Sequence, residues 1–376
     1  MMSGENKKIG LVPLLYDEYN YGGVLQFYAL QTALKKLGYE IVILKYNNEE
    51  KVIPVSNDND TLYKKLRMFV YSLLHKNDEK HLNSVLQHRR DKIKLFKEQY
   101  YSKVEDEKNI DISTFCAVIC GSDQIWNPKW ARKRNFLEFV PDDVNKIIYA
   151  ASLGTEKMLD SEKECFKPRI ERINHISVRE FSAKKLLDEF VERKDIEVVA
   201  DPTLLLTATD WELIIDEKEV PSESYILTYF LGDYSRIKNY ISDFAGSKRI
   251  HIVNIPYASG ERVDSEKFGD IRLQDLSPQE FLGLIKNAEY VFTDSFHACV
   301  FSTLFQRQFY VFERDGKKNM SGRINTLMEN FHLQSRFIPV APIQELPDID
   351  YSNNDYWQDK ILTKSISFIR ESLSHE

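Results

Sequence analysis

The stretch from Glu289 to Phe312, EYVFTDSFHACVFSTLFQRQFYVF, restricts the fold more than any other part of the chain. Tyr290 to Thr293 is a short β-rich run, and Asp294 and Ser295 are turn and N-cap residue types. Ala298 to Gln306 is an apolar helical run without Gly or Pro, and Phe309 to Phe312 is β-rich again. Strand, tight turn, helix and strand in that order predict an α/β sheet, whose ligand crevice lies where strands end and helices begin. His297 falls in the first turn of the helix. A helix N-terminus carries roughly half a positive charge. That field disfavours imidazolium and holds His297 neutral, as a base or a hydrogen-bond donor. The same turn offers N–H groups to a phosphate or carboxylate, and a bound anion would favour the charged imidazole. Asp294 and Ser295 join His297 as candidate site residues. The plainer alternative is a histidine that caps or packs.

At 376 residues the chain is long enough for two domains. Its net charge of −7 argues against general nucleic-acid binding. The start, MMSGENKKIG, lacks an apolar core of the signal-peptide kind, and no apolar run reaches the length of a membrane span, so a cytoplasmic protein is expected. Cys116, Cys120, Cys165 and Cys299 form no CxxC pair, and reduced thiols fit them better than disulfides or zinc. No HExxH motif or Cys/His cluster points to a metal, and no cofactor is expected.

Taken in order, Lys7 to Tyr16 reads as a strand, Asp17 to Gly23 as a turn-rich loop, Val24 to Leu37 as a helix stopped by Gly38, and Glu40 to Tyr46 as a second strand. In this βαβ unit the loop glycines Gly22 and Gly23 are candidates to cradle a phosphate, against a plain tight turn. Residues 61–100 carry ten Lys and Arg against four Asp and Glu, or +6, which leaves −13 for the rest of the −7 chain. Leu62, Leu66, Phe69 and Leu73 share one helical face there. The segment reads as a helical insertion with a solvated basic side, or as a surface for anionic lipid headgroups at the inner membrane face or for a diphosphate-linked acceptor. Phe115 to Cys120 is a strand running into GSDQIWNP, where Gly121, Asp123, Gln124 and Trp126 are candidates for ligand approach, hydrogen bonding and sugar stacking; the alternative is a turn over a buried Trp. Ile147 to Leu153 and Ile176 to Arg179 are further strands. Arg179 at a strand end suits a bidentate anion contact, or an ion pair with Glu180. Asp201-Pro202 stops the next strand. The alternation then repeats: strands over Tyr225 to Phe230 and Arg249 to Ile255, a helix opened by Ser277-Pro278, the stretch above, a helix with Arg323 in its first turn, and a C-terminal helix from Tyr356 to Leu373. Two α/β domains facing a cleft are expected, 1–205 and 206–376.

Seven segments together resemble the polysaccharide pyruvyl transferase family: Asn20–Gln31 (NYGGVLQFYALQ), Gly121–Pro128 (GSDQIWNP), Tyr149–Gly154 (YAASLG), Ser177–Glu180 (SVRE), Asp201–Leu204 (DPTL), Thr293–His297 (TDSFH) and Met320–Ile324 (MSGRI). The resemblance implies two Rossmann-like domains similar to B-type glycosyltransferases, and transfer of pyruvate from phosphoenolpyruvate onto two hydroxyls of a glycan acceptor as a ketal. It makes His297 the family's motif histidine, Arg179 its strand-end arginine and Arg323 the arginine of its late helix, and brings Asn20 into the site with Gly22 and Gly23. Where many members carry Arg-Leu before the histidine, this chain has Ser295-Phe296. On this reading Arg179 and Arg323 hold the anion, His297 moves protons, and Asp123, Gln124 and Trp126 face the acceptor. A nucleotide-sugar glycosyltransferase of the same fold and a non-catalytic sugar-binding protein are the alternatives.

Overall fold

A computed structural model describes residues 7–14, 20–45, 50–53, 76–106, 109–256, 258–259, 262–263, 268–314, 322–338 and 346–374. Two parallel sheets carry the chain. The first contains β1 (Lys8–Val12), β2 (Glu40–Lys45), β3 (Val104–Asp106), β4 (Ala117–Asp123), β5 (Asn145–Ala151), β6 (His175–Val178) and β7 (Glu197–Val198), in the order β3-β2-β1-β4-β5-β6-β7. The second contains β8 (Tyr225–Tyr229), β9 (His251–Ile255), β12 (Ile271–Arg272), β13 (Tyr290–Thr293), β14 (Gln308–Phe312) and β15 (Phe337–Ile338), in the order β12-β9-β8-β13-β14-β15. A hairpin of β10 (Ala258–Ser259) and β11 (Arg262–Val263) stands apart. Continuous burial along Ala117–Ser122 is what a parallel strand covered on both faces requires. Strand order reverses between β1 and β4 in one sheet and between β8 and β13 in the other. Such switch points open crevices at the carboxyl ends of the strands, and the two crevices meet between the domains.

Helices cover the sheets: α1 (Tyr21–Lys36), α2 (Lys76–Tyr100), α3 (Asp160–Glu171), α4 (Phe181–Leu187), α5 (Ala208–Glu212), α6 (Lys238–Lys248), α7 (Pro278–Asn287), α8 (Phe296–Leu304), α9 (Gly322–Asn330) and α10 (Asn354–Leu373). The caps of α7 and α8 follow the sequence. Ser277 and Glu280 close a reciprocal capping box on α7, and Ser295 Oγ accepts from Ala298 N at 3.4 Å on α8. Two expectations are corrected here. α1 begins at Tyr21, capped by Asn20, so Gly22 and Gly23 lie in its first turn and not in a loop. The last helix, expected with the second half, packs Phe368, Ile369 and Leu373 against Ile9, Leu11, Ala117 and Ile147 of the first sheet.

Helix α2 ties the halves together. Its Arg89 donates to Gln274 O at 2.7 Å and lies 5.0 Å above the ring of Tyr21, and its Lys92 meets Glu280 at 2.9 Å. Tyr21 stacks on Phe281 at 4.7 Å and donates its hydroxyl to Leu276 O. Part of the basic run is therefore an interdomain strap rather than a solvated face. Lys64, Lys65, Arg67 and the Leu62–Leu73 face lie outside the described residues. No described helix is long and apolar enough to cross a membrane.

Candidate active site

The carboxyl ends of β4, β6, β8, β13 and β14 converge on a cleft between the sheets. A cavity of about 190 Å³ there is lined by Asn20, Asp123 and Gln124 from the first domain and by Asp294–His297, Arg314 and Arg323, among others, from the second.

His297 takes its position from Gly22. A Cβ added to Gly22 would lie 2.0 Å from His297 Nδ1, so only glycine lets the first turn of α1 seat this ring. That is a different use of the glycine from the expected phosphate cradle, and the Gly22 amide itself is occupied by Asn20 Oδ1 at 2.9 Å. His297 Nε2 is buried, has no hydrogen-bond partner among the described residues, and lies 3.7 Å from Asp201 Oδ2. At that distance the contact is an ionic one, available to the protonated ring, rather than a hydrogen bond.

Asp201 and Arg179 form the floor. Asp201 caps the turn at Pro202–Leu205 through Thr203 N (2.9 Å) and Thr203 Oγ1 (2.6 Å), and its other oxygen accepts from Arg179 Nη1 at 2.5 Å. Burial alone would raise this carboxyl; Arg179, His297 and Thr203 outweigh it and hold Asp201 below the ordinary Asp range. Arg179 also donates to Asp123 Oδ1 at 3.1 Å and has Glu180 at 3.8 Å. Burial opposes its charge, yet Asp201, Asp123 and Glu180 hold the guanidinium above its usual value. At 3% exposed, with both terminal nitrogens engaged by carboxylates, Arg179 is not placed to grip an incoming anion. This corrects the expectation of a direct contact.

Arg314 and Arg323 both line the cavity; Arg314 is held by Asp294, whereas Arg323 is held only loosely. Among the described residues the nearest carboxylate oxygen to Arg323 is Asp123 Oδ1, 3.7 Å away, and Arg323 Nε has no hydrogen-bond partner. Burial and the neighbouring Arg179 bring its pKa down to about 10. The Phe296 ring lies near both guanidinium groups, 4.8 Å from Arg179 and 5.9 Å from Arg323. Glu180, joined to Ser152 Oγ at 2.7 Å, is pushed up by burial.

Three further candidates are structural in their placement. Asp294 accepts from Leu231 N (2.6 Å), Gly232 N (2.9 Å) and Arg314 Nε (2.9 Å), which clamps β8 to the start of α8. Trp126 is fully buried, stacked on Phe136, with its N–H on Asn135 O, so it offers no face to a sugar. Gly121 permits strand packing, because a Cβ there would meet Tyr149 O at 2.0 Å. Gln124 does reach the cavity wall. Asp201, Phe296 and Arg314 are further residues of the site, beyond those expected from the sequence. Asp201 had a signal, since the DPTL segment carries it; Phe296 and Arg314 had none beyond their neighbours.

No curated protein sequence matches the chain. Among solved structures, Arabidopsis thaliana UGT89C1 complexed with UDP-L-rhamnose superposes with a TM-score of 0.50 at 8% identity, covering 97% of this chain and 98% of that one. The UDP-GlcNAc 2-epimerase of Neisseria meningitidis gives 0.49 at 11% identity, covering 97% and 99%. That of Methanocaldococcus jannaschii gives 0.48 at 12%, covering 98% and 93%. At 8% identity the likeness to UGT89C1 is one of fold alone, the two-domain fold of B-type glycosyltransferases. The model of one family, "Polysaccharide pyruvyl transferase", matches residues 20–316. That span holds the capped start of α1, the Arg179–Asp201 floor and the His297 turn, and the chain belongs to the polysaccharide pyruvyl transferase family.

Proposed function

We propose that the protein transfers pyruvate from phosphoenolpyruvate to two hydroxyls of a sugar in a cell-surface polysaccharide or its precursor, forming a ketal. The observation that carries this reading is His297, seated on Gly22 with Nε2 facing Asp201 and opening on a small polar cavity beside Arg323. The reaction needs an anion site, a base and an acid. One sugar hydroxyl oxygen adds to C2 of the enol phosphate and the methylene carbon takes a proton. The C2–O bond to phosphate breaks, and the second hydroxyl adds at C2. The two hydroxyl protons balance the new methyl group and the departing phosphate. His297 serves as the proton carrier, with Asp201 stabilising the imidazolium from 3.7 Å. Arg323 and the N-terminal amides of α8 receive the anion. Arg179 holds Asp201 and Asp123 in place and acts through them. Asp123 and Gln124 lie on the acceptor side.

His297→Ala should lower turnover by about 10²–10⁴-fold with melting temperature retained, the usual effect of losing a positioned acid or base. His297→Gln should not restore it, because an amide does not shuttle a proton. Turnover and thermal unfolding measured together on both variants decide the point, and a folded, active His297→Ala protein would end this mechanism. Arg323→Gln should raise the donor KM by roughly 10–150-fold, the range for a lost hydrogen bond to a charged group. Phosphate release from phosphoenolpyruvate with a panel of glycans tests the reaction itself. Thermal protection by a nucleotide diphosphate but not by phosphoenolpyruvate would instead favour a nucleotide-sugar donor.

A further inference from the structure

We infer that Trp130 is the stacking platform of an acceptor-sugar subsite at the mouth of the cleft, and that the sugar it takes is a hexopyranose presenting one C–H face. This rests on the pyruvyl transfer reading and adds to it where the acceptor lies. Of the four tryptophans, Trp126 and Trp211 are fully buried and Trp357 is half-buried; Trp130 is 38% exposed. An exposed Trp is not unusual by itself. This one is fixed in orientation, because its indole N–H donates to the main-chain oxygen of Gln124 at 3.1 Å. Gln124 lines the cavity, so the ring, itself outside the cavity lining, is tied to a residue of the cavity wall.

The turn that carries it is rigid. Asn127 N donates to Gln124 O, Trp130 N and Ala131 N both donate to Asn127 O, and Asn127 Nδ2 donates to Gln124 Oε1 at 3.1 Å. Beneath it Trp126 is stacked on Phe136 at 5.5 Å. A held aromatic face costs little ordering entropy when a ligand lands on it. Cavity size points the same way. Pockets that enclose drug-sized ligands run to about 300–1,000 Å³. At about 190 Å³ this cavity has room for a three-carbon phosphate but not for a hexose as well. The acceptor ring must therefore lie at the mouth, where it can direct two hydroxyls inward past Gln124 to His297 while its apolar face rests on an indole.

The test is saturation-transfer NMR on the full chain without donor, with methyl β-D-glucopyranoside, methyl β-D-galactopyranoside and methyl α-D-mannopyranoside as probes. At least one should show transfer concentrated on the C–H protons of one ring face. Binding should weaken roughly tenfold in Trp130→Ala, the loss of one stacked ring, and be partly kept in Trp130→Phe. It should be unchanged in Tyr356→Ala, which removes an exposed aromatic from the last helix. Equal transfer to the wild type and Trp130→Ala, or none to the wild type from any probe, overturns the inference. Phosphate release from phosphoenolpyruvate, followed on the same samples, separates the two readings. Sugar contact at Trp130 without phosphate release rejects the pyruvyl donor and keeps the subsite. Phosphate release with an unchanged acceptor KM in Trp130→Ala rejects the subsite and keeps the donor.

Discussion

Arg179 shows how far a residue's role depends on what lies beside it. A strand-end arginine and an anion site agree in sequence, but three carboxylates surround this one. Removing one partner of a buried ion pair typically costs about 3–5 kcal/mol, which is a large fraction of the stability of a domain. Arg179→Met should therefore lower melting temperature sharply. A merely ligand-binding arginine would raise the donor KM and leave the melting temperature alone, so measuring both assigns the role. Glu180 makes a second residue-scale prediction with a sign that can be worked out. Burial raises its carboxyl in the folded protein, so the folded state binds more protons than the unfolded one above the ordinary Glu value of about 4.3. Stability from this group is present at low pH and lost as pH rises through the folded pKa. Glu180→Gln lacks that loss, so its melting temperature should gain on the wild type as pH increases from about 4.3 towards neutrality. A constant difference across that range would show that Glu180 does not titrate there.

At the scale of elements, α1 and α8 meet head to head, and Gly22 is the point of contact. Gly22→Ala puts a methyl group 2.0 Å from His297 Nδ1, and since the neighbour is a buried ring on a helix, the ring must move. The helix itself should gain from the exchange, because Gly costs about 1 kcal/mol relative to Ala inside a helix. Activity should fall by the order expected for His297→Ala, while α-helical circular dichroism stays intact; normal turnover in Gly22→Ala would show that the imidazole need not sit there. The same contact explains what could be read beforehand and what could not. Caps such as Ser277, Pro278 and Ser295 act within a few residues, and the strands β8, β9 and β13 announce themselves by local β-rich runs, so these were legible in the sequence. Gly22 and Gly23 read as a loop because adjacent glycines look like turn residues, and that Gly22 makes room for His297 depends on a contact far away in sequence. Trp126 reads in sequence either as a stacking face or as a buried ring, and Phe136 and Asn135 behind the turn decide for burial. Asp201 looked like a strand stop, and only the tertiary approach of Arg179 and His297 turns it into the floor of a site.

The whole molecule is held as one body by elements that cross the domain boundary. One apolar core joins Tyr21, Val24, Ile93 and Phe96 of the first half to Leu227, Phe281 and Val291 of the second. The last helix closes the circuit from the other side. It starts against the second domain, where Asn354 Nδ2 donates to Thr303 O at 3.2 Å. It ends on the first sheet, where Ala200 N donates to Ser365 Oγ at 2.9 Å and Asn145 Nδ2 to Ser372 O at 2.7 Å. Full burial of Phe368, Ile369 and Leu373 is worth about 1.5–3 kcal/mol each, or roughly 5–9 kcal/mol together, as an upper bound set by an extended unfolded chain. That is comparable with the whole stability of an ordinary domain, about 5–15 kcal/mol. A chain ending at residue 353 should therefore lose the first sheet's stability while keeping most of the second domain's core. The intact protein should melt in a single transition, coincident by far-ultraviolet circular dichroism and tryptophan fluorescence. The shortened chain should melt in two, the earlier one belonging to the first domain, and Phe368→Ala in the full chain should move the single transition in the same direction by a smaller amount. One unsplit transition at the wild-type temperature in the shortened chain would mean that the first sheet is stable without its last helix, and that the domains are held together through α1, α2 and α7 alone.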